Sequence, residues 1–180
     1  MSAKFEHLLA TPEPAELGPG PRESVHSAKK LEAAMAGDFA SSKLPPAAQQ
    51  LIRALVLLWH DHLDASHTIS QGIESPDGSL VHAIMHRREP DYWNATYWWR
   101  RVGQHPCFPE LARRVADLLK ARNESQLARK LIPNGNWDAF AFVDACAAAA
   151  DKHTNAQLLR EIQQIETEVA LDHFLGREAR

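Results

Sequence analysis

A chain of 180 residues, 44% hydrophobic and 24% charged, has the composition of one soluble globular domain with a real core. Its net charge of -3 lacks the basic excess of a general nucleic-acid binder, so no nucleic-acid partner is expected. The longest apolar run, Ala54 to Trp59, falls far short of the ~20 residues that span a bilayer, so no membrane partner is expected either.

Cys107 and Cys146 form neither a disulfide framework nor a zinc-knuckle spacing. With no signal-like apolar core at the N-terminus, the expected compartment is reducing and cytoplasmic. Residues 1–23 carry Pro12, Pro14, Gly18, Pro19, Gly20 and Pro21, which disfavour regular structure. They read as an arm, loose or laid over the surface, ahead of a single helical domain over 24–180.

Ser24 is the expected cap of a helix ending near Ala36, with Gly37 as its stop. After a connector over 38–46, Pro46 suits the first turn of a helix expected over 47–71. On that helix Leu51, Ile52, Leu55, Leu58, Trp59, Leu63 and Ile69 share an apolar face that includes His62. His60, Asp64 and His67 share its edge, at i, i+4 and i+7.

Ser75-Pro76-Asp77-Gly78 reads as a turn, and Ser79 as the cap of a helix reaching Glu89 and stopped by Pro90. A short aromatic helix follows over 91–102, with Gly103 as its stop. Pro109 opens the next helix, marked by Leu111, Val115, Leu118 and Leu119. Asn123 and Gln126 resemble a capping box. Residues 133–136 read as a turn, with Asn136 capping the helix of Phe140, Val143, Ala147 and Ala150. Thr154 and Gln157 open the last helix, whose stripe of Leu158, Ile162, Ile165 and Val169 is a candidate homodimer contact. The fold class is all-α, a compact bundle of about six or seven helices with no alternating strand.

Function is concentrated in residues 59–108. This stretch holds six of the ten histidines, four of the five tryptophans, both tyrosines and two Arg-Arg pairs. Helical spacing pairs His60 with Asp64 and His82 with His86, so two antiparallel helices could surround one divalent ion. His67, Glu89 and His105 are available to complete the shell. Imidazole with carboxylate suits Zn, Fe, Ni or Mn. Without a metal, His60, His67 and His105 are candidate acids or bases near neutral pH.

Arg87, Arg88 and Arg101 offer forks for an anionic or polar small molecule, with Asn94 as an amide and Trp93 and Tyr97 as walls. The competing reading pairs each arginine with Asp61, Asp64, Glu89 or Asp91 and places Trp93 and Trp98 in the core. Cys107 lies two residues after His105 but in no nucleophile-elbow context, and reads as a buried, inert thiol. The expected function is a metal-dependent hydrolase or lyase; the alternative is a non-catalytic ligand-binding or interaction protein with a structural polar network.

Residues 59–108 resemble a family of bacterial and fungal proteins without an assigned activity. The shared pattern is WH…LD..H…Q…DGS..HAIMHRREPDYWN..YW.RRVG.HP.F. A second, shorter likeness is to the HD-superfamily phosphohydrolases, which are all-α and use a His, a His-Asp pair and an Asp to hold one or two metals. The corresponding order here is His26, His60-Asp61 and Asp151; His62-Leu63-Asp64 departs from the residues usual after the pair. That resemblance implies metal-dependent hydrolysis of phosphate esters.

Overall fold

The computed structural model describes residues 5–152 and 156–176; Thr154, and the side chain of Asp151, lie outside what is described. Among the described residues there are nine α-helices and no strand. They are α1 (Ala28–Ala40), α2 (Pro46–Trp59), α3 (Leu63–Ser70), α4 (Pro76–Arg88), α5 (Tyr92–Val102), α6 (Phe108–Ala121), α7 (Ser125–Leu131), α8 (Ala139–Lys152) and α9 (Ala156–Phe174). The count exceeds the expected six or seven. One reason is that the helix expected over 47–71 is two.

That break positions the site. Trp59 is the last helical residue of α2, and Asp61 takes a left-handed φ of 65°. The Asp61 amide donates to Leu58 O and the His62 amide to Leu57 O, the paired bonds of a Schellman ending. Glycine or asparagine usually holds that position; here an aspartate does, and two arginines hold the aspartate. Arg22 donates to Asp61 Oδ2 through its amide (2.8 Å) and Nε (3.0 Å). Arg88 Nη2 donates to Asp61 Oδ1 (2.7 Å). The same guanidinium groups also reach carbonyls at the end of α2, Arg22 to Trp59 O and Arg88 to Leu58 O. Helix C-termini leave such carbonyls without intrahelical donors. Burial alone would raise the Asp61 carboxyl, but its hydrogen bonds to Arg22 and Arg88 hold it below the usual carboxylate range.

The N-terminal arm is laid over the bundle from Phe5 onward. Phe5, Leu8 and Ala15 are buried. Side chains from the bundle meet the arm's carbonyls: Trp59 Nε1 donates to Leu9 O (2.8 Å), Gln163 Nε2 to Ala15 O and Glu16 O, and Arg88 to Glu16 O and Gly18 O. An irregular segment buried in this way must find donors for its carbonyls, and these residues supply them.

Other boundaries differ locally from expectation. Ser27, not Ser24, caps α1, accepting from the Lys30 amide, and α1 runs through Gly37. Ser75, not Ser79, caps α4, accepting from the Gly78 amide (3.0 Å), so Pro76 is the first helical residue and Asp77 lies in the first turn. Gly78 admits no side chain, because a Cβ there would lie 2.2 Å from Ile73 O. Asn123, with φ 59°, ends α6 rather than opening α7. Asp138 rather than Asn136 caps α8, accepting from the Ala141 amide (2.9 Å). Gly103 stops α5 at φ 63°, as expected.

From Gly78 to Arg88, α4 is buried without interruption, and it packs most extensively on α5. Leu159, Ile162 and Val169 of α9 are buried within the same chain, with α9 against α2, α6 and α8. Of the stripe Leu158, Ile162, Ile165 and Val169, Ile162 and Val169 belong to the core, and Leu158 and Ile165 are half-buried against it. No helix among the described residues is long and apolar enough to cross a membrane.

Candidate metal centre

A helix buried on every side must accommodate whatever polar groups it carries, and α4 carries His82, His86, Arg87 and Arg88. The two arginines find partners. Arg87 forms a buried ion pair with Glu166, donates to Gln163 Oε1 (3.4 Å) and lies over the Phe142 ring. Arg88 is committed to Asp61, Leu58 O, Glu16 O and Gly18 O. The two guanidinium groups expected to hold a small anion thus hold the fold together.

The two histidines are placed differently. His82 and His86 lie one turn apart on the same face of α4, with rings stacked at 4.7 Å. Across from them α3 presents His67, whose ring meets both edge-on, at 4.8 Å from His82 and 5.2 Å from His86. One ligand nitrogen from each of the three lies within 4.8 Å of the others. Around a tetrahedral ion at bond lengths of about 2.1 Å, ligand nitrogens sit roughly 3.4 Å apart. The three imidazoles therefore close on an ion with a shift of at most about 1.4 Å, and His67 is only partly buried.

Protonation in the cluster favours ligation. His82 is 2% exposed, and neither ring nitrogen has a hydrogen-bond partner. Burial, reinforced by the neighbouring His86 and His67, pushes its pKa down to about 3, so the ring is neutral with a lone pair available. Burial likewise lowers His86, against the opposing pull of Glu89. His86 Nδ1 lies 3.1 Å from Glu89 Oε2. With the proton on Nδ1 and donated to that carboxylate, Nε2 is free to ligate.

An aromatic wall stands against the cluster. Trp98 of α5 stacks on His82 at 3.9 Å, Tyr97 meets Trp98 edge-on, and Arg101 lies over the Trp98 ring at 5.2 Å. Arg101 and Tyr97 are exposed, and Trp93 is 76% exposed rather than core. Asn94 is occupied locally, its amide side chain donating to Asp91 (3.1 Å).

The other candidate ligands lie elsewhere. The break after α2 removes His60 and Asp64 from a shared helical face. His60 caps α2 and uses both ring nitrogens: Nδ1 accepts from the His26 amide (3.2 Å) and Nε2 donates to Leu8 O (2.9 Å). Burial lowers its pKa, in keeping with a neutral ring in that role. Asp64 is exposed and outside the cluster. Asp61 is committed to Arg22 and Arg88, so the His-Asp pair of the phosphohydrolase resemblance is engaged in holding the arm.

His105 belongs to a second group. Its Nε2 lies 2.9 Å from Asp77 Oδ1, and His173 Nε2 lies 2.9 Å from the same oxygen. His105 Nδ1 is 3.0 Å from Cys107 Sγ. Burial pushes the Cys107 thiol up to about 12, which leaves it protonated and un-nucleophilic. Asp77 and His173 escape sequence reasoning: Asp77 sits in what reads as a turn, and His173 lies 68 positions beyond His105 without a local pattern.

A cavity of about 580 Å³ lies between the arm and α9, lined among others by Thr11, Trp59, Arg114, Gln164 and Glu168, and by none of the clustered histidines. Comparisons of the chain with protein-family models, with curated proteins and with solved structures yield no match.

Proposed function

We propose that the protein is a metal-dependent hydrolase or lyase whose divalent ion is held by His67, His82 and His86. The observation that carries this reading is His82, whose two ring nitrogens are buried without hydrogen bonds beside two other imidazoles. An unpaired buried polar group costs about 1–3 kcal/mol, and a metal bond to one nitrogen offsets that cost. Three histidines leave a fourth coordination position open, the arrangement in which a divalent ion acts as a Lewis acid and lowers the pKa of water to about 7.

The remaining residues suggest the substrate. Trp98 and Tyr97 supply flat walls beside His82, and exposed Arg101 supplies a cation at the rim. Their chemistry suits a small anionic molecule with a planar or apolar part. We take the compartment to be the cytoplasm, in keeping with two buried free thiols, Cys107 and Cys146.

The test loads chelator-stripped protein with zinc and screens phosphate-ester, carboxylate-ester and lyase substrates. Turnover should require the metal, and Arg101→Ala should raise KM for anionic substrates. Glu89→Ala should weaken zinc binding about 10–100-fold, as loss of a carboxylate supporting a histidine ligand does elsewhere. Activity that survives complete metal removal would defeat the proposal. A second reading, metal or ligand binding without turnover, draws on the burial of His82 and His86. It predicts the same Glu89→Ala effect with no turnover on any substrate.

A further inference from the structure

Three segments far apart in sequence meet at one carboxylate. Asp77 lies in the first turn of α4, His105 in the loop between α5 and α6, and His173 at the end of α9. Both imidazole Nε2 atoms lie 2.9 Å from the same oxygen, Asp77 Oδ1. The three ligand atoms fall within 4.8 Å of one another, close to the spacing around a single ion. The side chains of Asp77 and His173 are 32% and 30% exposed, so the site has an approach from solvent and room for water ligands. His105 is fixed from behind, where its Nδ1 accepts from the Cys107 amide (3.3 Å).

We propose that Asp77, His105 and His173 bind a second divalent transition-metal ion, with zinc as the expected occupant. Two imidazoles and a carboxylate suit zinc or ferrous iron rather than calcium or magnesium. The site is separate from the three-histidine centre and does not depend on it.

Ligation needs no net release of protons from neutral rings. Each imidazole gives up its Nε2 proton to the metal bond and carries a proton on Nδ1 instead. In His105 that new donor faces Cys107 Sγ at 3.0 Å, and a bond to the sulfur replaces the one that Nδ1 accepts from the Cys107 amide. In partly exposed His173 the Nδ1–H stays on the ring and would donate a hydrogen bond to solvent water. The ion would fasten the last turn of α9 to the start of α4 and to the loop before α6.

Calorimetric titration of the tag-free, chelator-stripped full chain with zinc tests this. Wild type should take up two equivalents, and His173→Gln one. Thermal unfolding should show a zinc-induced rise in Tm that is smaller in His173→Gln than in wild type. Asp77→Asn serves as a second variant should His173→Gln fold poorly, and should also lose one equivalent. Zinc uptake and Tm response equal to wild type in these variants would overturn the proposal and leave a hydrogen-bonded clasp. Loss of one equivalent in His82→Ala/His86→Ala but none in His173→Gln would refute this site alone. The reverse pattern would refute the three-histidine centre alone.

Discussion

Asp61→Ala should destabilise the fold by about 3–5 kcal/mol, the usual cost of removing one partner from a buried ion pair. The Asp61 side chain is 1% exposed and meets both Arg22 and Arg88. Its loss leaves a buried guanidinium on α4 without its carboxylate, and removes the partner that holds the arm through Arg22. It also leaves alanine at φ 65°, a region that aspartate tolerates better than alanine does. Total stability of a domain is about 5–15 kcal/mol, so the effect is a large share of it. Denaturant unfolding measures the loss, and limited proteolysis should show earlier cleavage within residues 10–25. A change below about 1 kcal/mol would mean that the arginines are satisfied by carbonyls alone.

The second large effect is on acid stability. His82 titrates near 3 in the folded, metal-free protein and near its ordinary 6.5 when unfolded. Between those values the unfolded chain binds the extra proton, so stability is fully present above about 6.5 and falls as the pH drops towards 3. His82 alone should account for about 2 kcal/mol lost between about pH 7.5 and pH 5. His86, lowered in the same sense, adds to the slope. His82→Phe should flatten the dependence in metal-free protein. An unchanged slope would place the acid sensitivity elsewhere.

Much of this architecture is legible in the residues, for reasons that vary by element. Pro46, Pro90 and Gly103 mark helix ends by local backbone chemistry, and the start of α2, the end of α4 and the end of α5 lie where those signals put them. The break at Asp61 is hidden because an aspartate occupies a turn position that glycine usually fills. What makes it workable is Arg22 and Arg88, 39 and 27 positions away in sequence. The centrality of α4 is hidden by its own composition: a helix with two histidines and two arginines in its last seven residues reads as half-solvated, yet is buried all round.

The site divides along the same line. The i, i+4 pair of His82 and His86 needs only an intact helix, and that pair does share a face. Joining it with His60 and Asp64 assumed that the helix continued through Asp61. Once the chain turns there, His67 is the residue that α3 brings to α4. The competing reading, which pairs each arginine with a nearby acid, includes Asp61, and Arg88 does meet it; Glu166, the partner of Arg87, is brought there by tertiary packing and is not among those acids.

Elemental analysis of protein purified without a histidine tag, beside a His82→Ala/His86→Ala variant, tests the three-histidine centre most directly. A His67→Ala variant, altered at the half-exposed ligand, guards against misfolding of the double variant. The expected result is one equivalent of transition metal fewer in both variants than in wild type, whatever Asp77, His105 and His173 hold. Metal content equal to wild type in folded variants would contradict the account and leave His67, His82 and His86 as a buried aromatic stack with no ion.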